Sequence, residues 1–523
     1  VKDESTTANR QITRAAGVVM VGMALSSITG LVTTMWVSRS FGTSADLDAF
    51  YAANRLTEII FNLMAGGALA SAFIPTFTEF LTLKDHEGAW RLASSIANIV
   101  LVALTLVSIL AALIAPWLVT KILAPGFTDP VQVDLTVLLL RIMLLSSIIF
   151  GISGLFMGIL NAYQHFALPA IAPAFYRLGW MLGIWILVPG MGIQGLAWGV
   201  VIGAGLHLLV QVPGLLKHRI RYSPTLHLEN PAVREVGRLM APRLLGVAVV
   251  QINFLVNTII ASSQPEGSLA AINIALALMI MPQAVIAQAT AIAALPTFSA
   301  QVARGNLDEM RASLGNTLRG VLFLSLPASL GLILLREPLI SLLLERGAFG
   351  LDSTEKVSWA LLWYAAGLVG HALLEIIVRA FYAMKDTRTP VMVGAVAMSL
   401  NVVFSLLFSS LFEDLGWAPH GGLALANSLA TALECFTLLY LARRRLKGLG
   451  LGHLQRAILG IFIAGASMSL FLYLWLRWLE GHSVLLVAAG GVLLGGIFYW
   501  VIAMLLRVPD TRELPEILLQ RLR

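Results

Sequence analysis

Long apolar blocks alternate with short polar connections along this chain. An α-helix needs about 20 apolar residues to cross a bilayer. Stretches of that length lie near 15–38, 50–81, 92–121, 134–160, 167–190, 193–216, 240–262, 268–298, 318–343, 357–383, 390–412, 420–442, 454–478 and 483–506. The pattern predicts an all-α polytopic membrane protein with about 14 transmembrane helices. The connections are alternately basic and nearly free of positive charge, and short loops retain Lys and Arg on the cytoplasmic side. With the N-terminus inside, that side collects twenty-four of them, including clusters at 217–238 and 443–447. The other side has six: Arg39, Lys121, Arg336, Arg346, Lys356 and Arg477. Both termini are therefore expected in the cytoplasm. The first block is too long for a removable signal sequence and lacks a small-residue cleavage site.

Composition narrows the class. Hydrophobic residues make up 58% of the chain and charged residues 12%, with a mean hydropathy of +0.85, whereas a soluble domain carries about 25% charged residues. The net charge of +7 is accounted for by basic loops that meet anionic lipid headgroups, so membrane lipids are expected as partners and nucleic acid is not. The single cysteine, Cys435, excludes an intramolecular disulfide and a thiolate metal site. There is no G-x-x-x-x-G-K-[ST] phosphate loop, no H-E-x-x-H, no Cys/His cluster and no polar segment long enough for a catalytic domain. Neither an enzyme nor a cofactor or metal is expected.

The chain also repeats itself. Ile74-Pro75-Thr76-Phe77 is echoed by Leu295-Pro296-Thr297-Phe298, Gly195-Leu196-Ala197 by Gly422-Leu423-Ala424, and Tyr163 with Pro169 by Tyr382 with Pro390, at offsets between 219 and 227 residues. Six blocks separate the copies. Six is even, so both copies have the same orientation, and two parallel six-helix lobes around a central cavity are expected. The predicted organisation is an N-terminal lobe over 1–216, a cytoplasmic linker over 217–238, a C-terminal lobe over 239–446, and helices thirteen and fourteen with a tail over 447–523.

Several strings carry a family resemblance: Asp48-Ala49-Phe50, Ala72-Phe73-Ile74-Pro75, Gly195-Leu196-Ala197-Trp198 and Gln211-Val212-Pro213. The most specific are Glu345-Arg346-Gly347-Ala348-Phe349 and the run from Phe381 to Pro390, FYAMKDTRTP. Over about 20–445 the chain resembles the MurJ (MviN) family of lipid II flippases, within the superfamily of multidrug extruders and polysaccharide flippases. The resemblance implies a carrier in the bacterial inner membrane, and a monomer is expected from the close helix packing within one protomer that the glycine spacings suggest. It would move a polyprenyl-pyrophosphate-linked peptidoglycan precursor between leaflets by alternating access, with helices thirteen and fourteen lining a groove for the lipid tail. It also implies arginines on the first helix, in a motif like S-R-x-x-G-x-x-R-D. Here the corresponding run from Ser26 to Thr34 reads SSITGLVTT, Gly66-Gly67-Ala68 lacks the family's preceding acid, and Ala275-Leu276-Ala277-Leu278 replaces Ala-Asp-Arg-Leu.

Charged and polar residues inside the blocks are costly and become candidates by default. Asp48, at the outer end of the second helix, with Arg55 and Glu58 further along it, reads either as a headgroup or gating site or as ion pairing near the interface. In the seventh block Gln251, Asn253 and Asn257, with Thr258, either bind sugar or tie helices together. Arg243, near the inner end of that block, either meets a phosphate or snorkels. In the tenth, Glu375 precedes Arg379 by four residues, with His371 one turn earlier; coupling or gating and a buried ion pair are the alternatives. Arg141 and Arg177 have no partner within their own helices. Glycine pairs such as Gly179 with Gly183, Gly199 with Gly203 and Gly491 with Gly495 argue for close helix packing. Three functions remain open beside lipid II transport: a flippase for another lipid-linked oligosaccharide, a small-molecule or ion antiporter, and a non-transporting scaffold.

Overall fold

The computed structural model describes residues 2–64, 68–218, 221–449 and 455–512, and no strand occurs among them. The first part of the chain forms α1 (Lys2–Phe41), α2 (Ala45–Met64), α3 (Ala68–Thr82), α4 (His86–Leu113), α5 (Ala115–Leu118), α6 (Pro130–Ala162), α7 (Ala167–Leu182), α8 (Val188–Met191), α9 (Ile193–Leu209) and α10 (Val212–Leu216). The second forms α11 (Pro231–Ser262), α12 (Ser268–Gln283), α13 (Ala289–Ala303), α14 (Leu307–Leu334), α15 (Arg336–Leu344), α16 (Leu351–Ala383), α17 (Arg388–Asp414), α18 (His420–Arg445), α19 (Gln455–Trp478) and α20 (Val484–Leu505). Single π-helical turns carry α7 into α8 and α12 into α13.

Twelve helices among the described residues are long and apolar enough to cross a membrane. The second predicted block, 50–81, is covered by α2 and α3, and residues 65–67 between them, with Gly66 and Gly67, lie outside the described residues. The seventh predicted block lies in α11, which runs from Pro231 to Ser262. Helix starts are set by local chemistry. Asp85 accepts from Gly88 N, Asp129 from Val131 N, Asn230 from Ala232 N and Asn306 from Glu309 N, each satisfying an orphan amide of a first turn.

The repeat is written in the helix boundaries. From α4 to α7, each helix start recurs 221 residues later from α14 to α17. Both α4 and α14 have 28 residues, and both α6 and α16 have 33. Pro75 and Pro296 occupy the same place in α3 and α13, and Phe77 and Phe298 beyond them are 0% and 1% exposed. A Cβ on Gly195 would lie 2.5 Å from Val188 N and one on Gly422 2.6 Å from Phe408 C, so the glycine of each Gly-Leu-Ala word lets backbones touch.

Two compact units divide the chain, Val1–Ala270 and Ala271–Arg523. In the first, α11 packs on α2 and α3, α7 on α1 and α9, and α6 on α2, α4 and α9. Cβ atoms on Gly179 and Gly183 would lie 2.1 Å and 2.5 Å from the Cα atoms of Gly203 and Gly199, so the small-residue stripes of α7 and α9 interlock. In the second unit α18 packs on α16 and α17, α14 on α16 and α19, and α19 on α20. Arg319 and Asp510, 5% and 4% exposed, form an ion pair of 2.8 Å that fastens the segment after α20 to α14, and Tyr499 Oη donates to the Phe323 carbonyl at 2.8 Å.

The two specific charged words are turns. In Glu345–Phe349, Gly347 adopts φ +65°, Phe349 is buried, and Thr354 Oγ1 donates to Glu345 Oε2 at 3.1 Å. In the run ending at Pro390, Asp386 accepts from Thr389 N at 3.0 Å, opening α17, and pairs with Arg445 at the end of α18.

Candidate functional site

The Val1–Ala270 unit gathers most of the candidates around α2. Asp48 is 4% exposed. Its Oδ2 accepts from Gly267 N and its Oδ1 from Ala270 N, both at 2.7 Å, so it caps the first turn of α12 from another helix. The arrangement is reciprocal, because Ala45 N at the start of α2 donates to Glu266 Oε1 at 2.9 Å. Gly267, at φ +83°, allows the approach, since a Cβ there would lie 2.3 Å from the Thr43 carbonyl oxygen. Two helix N-termini, each with partial positive charge, thus exchange acids.

Two to three turns further along α2, Arg55 Nη1 and Glu58 Oε2 pair at 2.7 Å as their spacing predicts. Arg55 Nε also donates to Thr258 Oγ1 of α11 at 3.0 Å, its guanidinium carbon is 5.5 Å from the Phe254 ring centroid, and Asn54 Nδ2 donates to Glu58 Oε1 at 2.9 Å. Asn62 Nδ2 reaches Gln251 Oε1 at 3.5 Å. Arg55 and Glu58 of the second block and Gln251 of the seventh therefore lie along one polar seam between α2 and α11. Gln251, Asn253 and Asn257 are all buried. The side chain of Arg243 lies outside the described residues.

Arg177 of α7 stands apart from that seam. Its guanidinium carbon is 5.8 Å from the Tyr176 centroid and 5.2 Å from that of Trp180, and the point where Gly30 of α1 would carry a Cβ is 4.0 Å from Nε. Arg141 is spent on the Ala112 carbonyl, at 3.0 Å.

In the Ala271–Arg523 unit, Glu375 and Arg379 pair at 3.3 Å with both side chains about a quarter exposed, and His371 Nε2 lies 3.1 Å from Asn427 Oδ1 on α18. Glu434 escaped the sequence reading although it stands as a lone acid in the twelfth apolar block. It is 9% exposed, with Oε1 3.1 Å from the point where Gly394 of α17 would carry a Cβ. A cavity of about 470 Å³ in this unit is walled by apolar side chains, among them Leu332, Leu335, Met468 and Leu472, with Gly491 and Gly495 of α20. It suits an alkyl chain.

No group of three or more His, Cys, Asp or Glu capable of holding a metal occurs among the described residues. Buried polar seams inside a duplicated bundle of membrane helices define a polytopic α-helical membrane protein of the transporter fold. Solved structures share it. A lipid II flippase MurJ in an inward closed conformation superposes with a TM-score of 0.80 at 24% identity, covering 93% of this chain and 98% of that one. An inward-facing multidrug resistance MATE family transporter of the MOP superfamily gives 0.68 at 15%, covering 82% and 98%. The family model "Lipid II flippase MurJ" matches residues 37–489. Curated relatives include the lipid II flippase MurJ of Burkholderia cenocepacia, 31% identical over 80% of this chain and 82% of its own. The probable lipid II flippase MurJ of Vibrio cholerae is 30% identical over 96% and 98%. The chain belongs to the lipid II flippase MurJ family.

Proposed function

We propose that this chain translocates lipid II, a polyprenyl-pyrophosphate-linked peptidoglycan precursor, from the inner to the outer leaflet of a bacterial cytoplasmic membrane by alternating access. The observation that carries this reading is the family match over residues 37–489, which spans both copies of the repeat. Physical chemistry assigns the parts. A prenyl tail pays nothing in hydrocarbon and fits the apolar cavity beside α19 and α20, whereas a charged headgroup must be screened from it. In this scheme the two six-helix lobes predicted over 1–216 and 239–446 move as the alternating halves, and the protein acts as a monomer.

The basic loops argue for both termini in the cytoplasm. In that orientation Asp48 and Glu266 stand at the outer ends of their helices, where the exchanged caps act as a latch on the outer gate. Gln251, Asn253 and Asn257 supply hydrogen bonds for a sugar-bearing headgroup, with Arg55 and Glu58 holding the seam between α2 and α11. Arg243 meets phosphate at the inner entrance, and His371, Glu375 and Arg379 serve coupling or gating. The membrane potential offers about 2.3 kcal/mol per charge moved through 100 mV.

The test is rescue of a bacterium depleted of its own lipid II flippase, with membrane expression verified. Growth is expected from the parent chain, and Asp48→Ala run beside it is expected to grow poorly. Failure of the well-expressed parent overturns lipid II as the substrate.

A further inference from the structure

Arg177 puts a cation near the middle of the 25-residue span Ala167–Met191. A charge at that depth is costly and marks a functional group by default. Arg177 makes no ion pair and no side-chain hydrogen bond among the described residues; it has aromatic neighbours instead. Those rings are held by packing. Trp180 is 4% exposed and meets Phe50 edge-on at 5.2 Å, and Tyr176 meets Phe150 edge-on at 5.0 Å. The guanidinium is thereby kept in place while its N–H donors stay available.

No carboxylate forms an ion pair with it among the described residues. Arg55, Glu58, Asp48 and Arg177 all lie within electrostatic range of the Tyr51 hydroxyl. Both acids are committed, Glu58 to Arg55 and Asn54 and Asp48 to the α12 amides. Helix α1, which packs on α7, carries no charge from 15 to 38. Four of its hydroxyls donate within their own helix, Ser27 to Met23 O at 3.0 Å, Thr29 to Leu25 O at 2.9 Å, Thr33 to Thr29 O at 2.7 Å and Thr34 to Gly30 O at 3.1 Å, and Thr33 Oγ1 also lies 3.4 Å from the Arg177 carbonyl oxygen. With their protons spent, these groups can accept but not donate, so charged donors for an anion come from α7. Beside them the space is open, because only Arg177 Nε comes within 4 Å of the point where Gly30 would carry a Cβ.

We propose that Arg177 is a phosphate-binding residue of the Val1–Ala270 unit, its guanidinium taking the oxygens of a lipid-linked pyrophosphate in the space that Gly30 leaves open. The inference rests on reading the chain as a carrier of a polyprenyl-pyrophosphate-linked substrate. The planar fork of arginine matches two phosphate oxygens at once, which a lysine ammonium does not.

The test uses the full chain in lipid nanodiscs. Undecaprenyl pyrophosphate is the probe, undecaprenol its uncharged counterpart and inorganic pyrophosphate the competitor, with binding read by native mass spectrometry. Arg177→Gln is expected to weaken undecaprenyl pyrophosphate about tenfold or more, the loss of a charge-assisted hydrogen-bond pair, and to leave undecaprenol unchanged. Arg177→Lys is expected to fall between Gln and parent, and Arg141→Gln to match the parent. Gly30→Leu, which fills the approach but keeps the arginine, is expected to weaken the probe as Arg177→Gln does, and it carries the comparison if Arg177→Gln does not fold.

Competition by inorganic pyrophosphate in the parent but not in Arg177→Gln supports a site that reads charge alone. Loss of lipid binding in Arg177→Gln without such competition supports one that also needs the tail. Parent-like affinity of folded Arg177→Gln, or of folded Gly30→Leu, for undecaprenyl pyrophosphate overturns the proposal. Flipping of lipid II in proteoliposomes is scored separately. Arg177-dependent binding without flipping leaves this inference standing and removes lipid II as cargo; flipping with Arg177-independent binding does the reverse.

Discussion

Asp48→Ala tests the reciprocal caps directly. The wild-type carboxylate accepts two backbone N–H groups at 2.7 Å each while 4% exposed. Truncation leaves Gly267 N and Ala270 N without their acceptor where little water reaches them. An unsatisfied buried donor costs about 1–3 kcal/mol, and loss of a helix cap costs about 0.5–2 kcal/mol. Because the two figures describe overlapping losses, a combined local destabilisation of about 3 kcal/mol is expected, which corresponds to roughly a hundredfold rise in local opening. Amide hydrogen exchange over 266–271, followed by mass spectrometry, reads that opening.

Asp48→Asn keeps one acceptor oxygen and should lose about half as much in free energy. Glu266→Gln should lose least, because its bond to Ala45 N is at the surface. The order Ala, then Asn, then Glu266→Gln follows from burial and acceptor count alone. If folded Asp48→Ala leaves exchange over 266–271 at the parent rate, the capping account is wrong, and Asp48 must be understood through another partner.

Gly179→Ala, placed 2.1 Å from Gly203 Cα, should force α7 and α9 apart and lower stability by about 1–3 kcal/mol; Gly190→Ala, with nothing within 4 Å, is the control in the same thermal-unfolding series. Arg319→Ala or Asp510→Ala breaks a buried pair and should cost about 3–5 kcal/mol, whereas joint replacement by Met and Leu should recover most of it. Hydrogen exchange across 506–512 would show the segment after α20 loosening in the single variants only. Asp386, in the turn before α17, has its carboxyl held below the usual value of 3.8, first by hydrogen bonds from Thr389 and further by Arg445. A depressed carboxyl contributes stability that is full above its unfolded value and is lost as pH falls through the folded one. Asp386→Asn should therefore lower the melting temperature at neutral pH and converge on the parent as acid protonates the folded carboxyl; a gap that stays equal down to full protonation would refute the assignment.

How far the site was legible depended on sequence separation. Arg55 with Glu58 and Glu375 with Arg379 could be read as pairs, because helix geometry brings residues three and four apart together without any tertiary contact. The glycine stripes of α7 and α9 were visible as spacing, and packing made them meet. Asp48 was visible as a costly acid, but its partners are amides 219 and 222 residues away, and backbone amides leave no mark in a sequence. Arg177 has no ion pair among the described residues, but the rings of Tyr176 and Trp180 on its own helix lie against its guanidinium, which the expectation of no partner within that helix missed. What could not be read was which neighbour it faces, because an apolar helix has no polar stripe to fix its rotation.

The division between the two levels follows from the range of the forces involved. The apolar blocks, the basic loops, the caps at helix starts and the duplication are local or periodic properties. Hydrophobic length sets what crosses a bilayer, charge sets which loop stays inside, and a side chain three residues from an amide can cap it. These properties were enough to determine an all-α, duplicated membrane protein and most of its helices. Tertiary structure alone decided that Asp48 and Glu266 exchange helix caps, that Asp510 returns to Arg319, and that Gly30 leaves Arg177 room. Each depends on how one helix is rotated and set against another, and the fit of small and large side chains across the whole bundle determines that choice.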